Sequence, residues 1–127
     1  MPNNAPIKTS LGFLSGRDCI YLDSVSFNDM TTLVLAGSIN GNLCSIRKPG
    51  GFIPFTLHFK GVLALTMTEL DSSNWLEAGE SCFEEIRNSE WVCSLGGKVT
   101  PAHRHFYVQT YDHVFEIVCE KYEFQTK

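Results

Sequence analysis

Two of the four histidines, His103 and His105, stand two residues apart, the spacing that sends both imidazoles to one side of a β-strand. Neutral imidazoles on one face can share a metal ion, and His58, His113, Asp112 and Glu116 are the further nitrogen and oxygen donors available. His103, His105 and His58 are therefore the ligand set of an alternative reading, a metal- or small-ligand-binding β protein or an enzyme. A satisfied histidine pair at the rim of the core accounts for the same spacing, and no cofactor is expected.

The His-x-His spacing resembles the metal strand of cupin barrels. Gln109 stands where that motif wants a carboxylate, its glycine is missing, and only residues 106–127 follow, too few for a second motif. The remaining nucleophiles fit known patterns no better. Gly12-Phe13-Leu14-Ser15-Gly16 is not the G-x-S-x-G elbow of serine hydrolases. Gly37 to Asn42 is glycine-rich but lacks the lysine and hydroxyl residue of a phosphate loop. Cys19, Cys44, Cys82, Cys93 and Cys119 are odd in number, widely spaced and without a C-x-x-C pair. They read as free thiols, small buried hydrophobes in a reducing compartment. The carboxylates Glu77, Glu80, Glu84 and Glu85 surround an expected helix start, where the helix dipole favours each by about 0.3–1 kcal/mol.

The elements that must hold these residues are mostly strands. Asp18–Phe27 and Met30–Ile39 are β-prone runs joined by Asn28-Asp29, a hairpin signature. Asn40-Gly41 is a second turn signal, across which Leu43–Ile46 is expected to pair back. In Phe52–Glu69 the alternation of Phe55, Leu57 and Phe59 slips at Gly61, which predicts a bent strand or two strands meeting there. Residues 71–80 are turn formers around Trp75. Ser81 and Glu84 have capping-box spacing and Asn88 can cap a second turn, so one helical region is predicted around 81–95. His105–Thr110 and Phe115–Cys119, joined by Asp112-His113, form the clearest hairpin and are expected to close the fold. The fold class is α+β: a mainly antiparallel sheet or two-layer β-sandwich with one short helical region, in a single domain 1–127.

Composition narrows the function classes. The chain is 43% hydrophobic and 19% charged, as in an ordinary globular domain, and carries a net charge of −4. No cationic cluster exceeds Arg47-Lys48, which argues against nucleic acid. The longest apolar runs, Leu33–Gly37 and Val62–Leu65, are far short of a membrane span, and the first ten residues lack a secretory signal's apolar stretch. A cytoplasmic location is expected.

What remains is aromatic and acidic. Tyr107, Tyr111, Asp112, Glu116, Glu120 and Tyr122 are the candidate partner-binding residues, because tyrosine combines apolar contact with a hydrogen-bonding tip. The stretch His105–Glu120, with its TYD-x-VFE core, resembles the end of small bacterial β-rich proteins similar to immunity proteins of polymorphic toxin systems. Counting Leu63–Trp91 extends the likeness. That resemblance implies an α+β binding protein and carries no catalytic residues. The expectation is a non-enzymatic protein-binding module, an immunity-type inhibitor with a protein partner, with homo-oligomers also open.

Overall fold

In the computed structural model, which describes residues 3–46, 50–69 and 81–126, the sequence alternation becomes two antiparallel sheets. Trp75, Glu77, Glu80 and the turn-rich stretch around them lie outside the described residues. In chain order the elements are β1 (Asn3–Pro6), β2 (Ile20–Phe27), β3 (Thr32–Asn40), β4 (Phe52–Lys60), β5 (Ala64–Glu69) and β6 (Phe83–Arg87). There follow α1 (Glu90–Ser94), β7 (Arg104–Gln109), β8 (His113–Cys119) and β9 (Lys121–Thr126). One sheet has the order β1-β6-β7-β8-β5 and the other β2-β3-β4-β9. Among the described residues no helix is long and apolar enough to cross a membrane.

The sheets meet through their alternating apolar faces. Leu33, Leu35, Phe55, Leu57 and Phe59 point inward from the four-stranded sheet, and Phe83, Phe106, Val108, Phe115 and Ile117 from the five-stranded one. Phe59 lies 6.2 Å from Phe83 and 5.7 Å from Phe106, and Tyr122 of β9 closes on both rings at 5.1 and 5.3 Å. Burying each such side chain contributes about 1.5–3 kcal/mol, and ring pairs in these geometries add about 0.5–1.5 kcal/mol.

Two glycines shape this arrangement. Gly37 faces the bulge that leaves Asp23 unpaired in β2, and a Cβ there would run into the Tyr21 carbonyl. Gly61, at φ +72°, turns the chain from β4 in one sheet to β5 in the other, so the expected slip at Gly61 is the point where two strands meet.

Several local expectations are corrected. The predicted helical region 81–95 is a strand followed by a single turn of helix. The capping-box bond from Ser81 N–H to Glu84 does form, at 3.2 Å, but the Ser81 hydroxyl donates to Leu14 O at 2.8 Å instead of capping a helix. Phe83 and Glu84 are 0% and 1% exposed on opposite faces, and pairing with β1 and β7 overrides the local signal. Glu84 and Glu85 therefore lie on a strand rather than at a helix start. Asn88 does not cap; it adopts a left-handed φ of 54°, and Ser89 is the cap one residue on. Leu43–Ile46 does not pair back on β3; Cys44 bridges to Leu14, and β4 takes that edge. The β7–β8 turn is Thr110–Asp112, with His113 already in the strand. That hairpin does not close the fold, because β9 follows and pairs with β4.

Candidate functional site

His105 sits at the centre of the five-stranded sheet's outer face. Its cross-strand partners are Ile86 and Val118, and Glu116 is its diagonal neighbour on β8. The Nδ1 atom lies 2.7 Å from Ser89 Oγ, and Nε2 lies 2.9 Å from Glu116 Oε1. In the neutral imidazole that pairs with an ionised carboxylate, Nε2 is the donor to Glu116 and Nδ1 the acceptor from the Ser89 hydroxyl. Ser89 Oγ in turn accepts from Val92 N–H at 3.1 Å, as the N-cap of α1. The Trp91 ring packs edge-on against the imidazole at 5.1 Å. Ser89 and His105 are 7% and 5% exposed, so the Ser–His pair is nearly dry, while the Glu116 side chain that completes the chain is 28% exposed. The turn that delivers Ser89 runs from strand to helix through left-handed Asn88.

The other histidines are held apart from it. His103 precedes β7, accepts from Thr100 N–H through Nδ1 at 3.0 Å, and sets Nε2 3.8 Å from Glu120. His58 lies on β4 in the other sheet, between inward-facing Leu57 and Phe59, with its buried Nδ1 unbonded. His103, His105 and His58 thus have separate surroundings, and among the described residues no three His, Cys, Asp or Glu side chains are placed to hold a metal ion.

A second polar feature lies where β2 meets the β7–β8 turn. The Tyr111 N–H bonds Ile20 O at 2.8 Å and fixes the turn against the strand. Tyr111 then stacks on Tyr21 at 5.0 Å and 21°, and the Arg17 guanidinium caps the Tyr111 ring at 5.0 Å. Beside this stack opens a cleft of about 240 Å³, lined by Asp23, Val25, Met67 and Asp112 among others. Val25, Met67 and Tyr111 are 41%, 52% and 38% exposed.

The six expected partner-binding residues do not form one face. Tyr107 is buried with Ile86 and Val114, Tyr122 is in the core between the sheets, and Glu116 is bonded to His105. Glu120 is exposed beside His103. Tyr111 and Asp112 alone share the cleft. Alternation sets Tyr107 on the face opposite Phe106 and Val108 but cannot say that it is buried there, at 5% exposure. Sequence reasoning missed Ser89, Arg17, Tyr21 and Asp23, whose partners are brought to them by tertiary docking rather than by a local motif.

The thiols are mostly withdrawn from solvent, with Cys93 exposed. The Cys82, Cys44 and Cys19 thiols donate to Gly16 O, Asn40 O and Leu43 O, and the neighbouring Cys82 thiol, acting as a hydrogen-bonding group, is the main reason the Cys19 pKa is lowered. That same interaction, then burial, pushes Cys82 up. Burial raises Cys44 to about 11 and Cys119 to about 12. Glu85 is held below its usual value by a two-pronged bond from Arg104, 2.7 and 3.0 Å.

Fold and site together define a predominantly antiparallel β protein of two sheets with, among the described residues, a single short α-helix. Comparison with protein-family models, curated proteins and solved structures finds no match to this chain.

Proposed function

We propose that the protein is a cytoplasmic two-layer α+β sandwich that works as a protein-binding module, an inhibitor of immunity type, and that its partner docks at the cleft beside Tyr111. The observation that carries this reading is the pre-stacked Arg17–Tyr111–Tyr21 column at a cleft with exposed Val25 and Met67. Rings already held in place lose little freedom on binding, which is why tyrosine and arginine anchor so many interfaces. Asp23 and Asp112 line the cleft, and the chain carries a net charge of −4. The partner fitting that chemistry is a basic protein surface with an apolar side chain among its lysines and arginines.

The test begins with a stoichiometric partner isolated by the tagged protein. Tyr111→Ala is expected to weaken binding by about 2 kcal/mol or more, roughly thirtyfold. Asp112→Lys is expected to slow association and flatten its salt dependence. A partner whose affinity is unchanged by both substitutions, or a bait that captures none, overturns the reading.

A further inference from the structure

Of the three polar systems that the cleft leaves unused, the thiol group around Cys19 and the Glu85–Arg104 pair are each accounted for by burial and mutual hydrogen bonding. The Ser89–His105–Glu116 chain is different, because its order is that of a nucleophile, a base and the group that orients the base. Holding α1 against the sheet would need only the cap from Ser89 to Val92 and the packing of Trp91. An imidazole whose one nitrogen accepts the serine proton while a carboxylate fixes the other goes further than that.

We propose that Ser89 is a nucleophile for acyl transfer, with His105 as its general base and Glu116 as the residue that positions His105. In the first step the Ser89 hydroxyl proton passes to His105 Nδ1 as Oγ bonds to the ester carbonyl carbon. The tetrahedral adduct then collapses, the carbon–alkoxide bond breaks, and the leaving alcohol takes the proton back from Nδ1. Water then gives a proton to the same nitrogen as its oxygen bonds to the acyl carbon, the acyl–Oγ bond breaks, Oγ takes that proton from Nδ1, and the carboxylic acid leaves. Glu116 accepts from Nε2–H throughout and stabilises the transient imidazolium.

The surroundings select the substrate class. Ser89 keeps only 7% exposure, and Ile86, Val118 and Trp91 flank His105. Glu90, the next residue in the chain, is an exposed carboxylate that disfavours anions. The substrate is a small, uncharged carboxylic ester. This activity is independent of the cleft reading, since it uses the outer face of the five-stranded sheet.

The test uses the full chain, a small alkyl fluorophosphonate, and p-nitrophenyl acetate. A single covalent adduct is expected on Ser89 in the folded protein, none in urea, and none in Ser89→Ala. His105→Gln is expected to lower the labelling rate about a hundredfold or more, within the range of lost general-base catalysis. Glu116→Gln should lower it less, because its amide oxygen still accepts Nε2–H. Circular dichroism checks that each variant is folded. A purely structural chain gives no adduct, so the wild-type result decides even where a variant unfolds. No labelling of Ser89 in the folded wild type, or an equal rate in folded His105→Gln, overturns the proposal.

Discussion

On the outer face of the five-stranded sheet Glu84, His105 and Tyr107 are 1%, 5% and 5% exposed, while on that of the four-stranded sheet Ser24, Ser26 and Glu123 are open to water. Both faces carry polar residues at alternate positions, so their sequences look alike. Their energetics do not. Glu84 accepts from Asn4 at 2.9 Å and from the Ser81 amide, and His105 is bonded at both nitrogens. Lys60 and Glu123 instead pair at 3.2 Å in open solvent, where water and salt screen the attraction. A polar group denied water is costly unless it is bonded, as Glu84 and His105 are and His58 Nδ1 is not, so burial with fixed partners rather than residue type marks where chemistry can be organised.

The comparison is broken most directly by exchanging one histidine from each sheet. His105→Ala leaves the Ser89 hydroxyl and the Glu116 carboxylate without their partner and is expected to cost about 2–4 kcal/mol. His58→Ala removes a ring whose Nδ1 is already unbonded and should cost about 1 kcal/mol or less. Urea midpoints at constant slope measure both, and equal shifts would mean that the two faces do not differ as described.

Arg104→Ala gives a smaller effect with a defined pH signature. Arg104 depresses the Glu85 pKa, so the pair stabilises the fold above the unfolded carboxylate's pKa and loses that contribution as pH falls through the folded value. With Arg104 partly open to solvent, the loss at neutral pH should be about 0.5–1 kcal/mol. Urea midpoints of variant and wild type should converge as pH falls below the folded Glu85 value. A gap that persists there points to the packing of Arg104 over the Phe106 ring instead.

Cys93→Ser sharpens the comparison with the least expected change, within about 0.5 kcal/mol. The other four thiols are buried, so a thiol reagent should titrate one group in the folded wild type, none in the folded variant, and five in unfolded wild type. Fast reaction of a second thiol would place an opening in the core.

How far the sequence could be read follows the same division. The β2–β3 and β7–β8 hairpins were legible because alternation and turn residues are local. With the β7–β8 turn set at Thr110–Asp112, register alone makes His105 and Glu116 diagonal neighbours, so half of the Ser–His–Glu chain was within reach. Ser89 was not, because it arrives through the turn after β6, a strand that a correctly spaced capping box disguised as helix. The missed strand β9 carries only Tyr122 and Phe124 as inward anchors, too few to signal a strand until β4 is there to pair with them. The metal reading of His103 and His105 assumed both on one strand, whereas His103 precedes β7 and turns to Thr100.

The order of strands in the sheets also sets the order in which the chain can fold. Asn4 of β1 meets Glu84 of β6 across 80 positions, and Lys60 of β4 meets Glu123 of β9 across 63. During synthesis the β2–β3–β4 meander can form early, but its free edge has to wait for β9, and β1 has to wait for β6. The slow step is therefore the closure of long loops rather than the zipping of hairpins. Until β9 emerges from the ribosome, the unpaired β4 edge is open to misassociation with another chain.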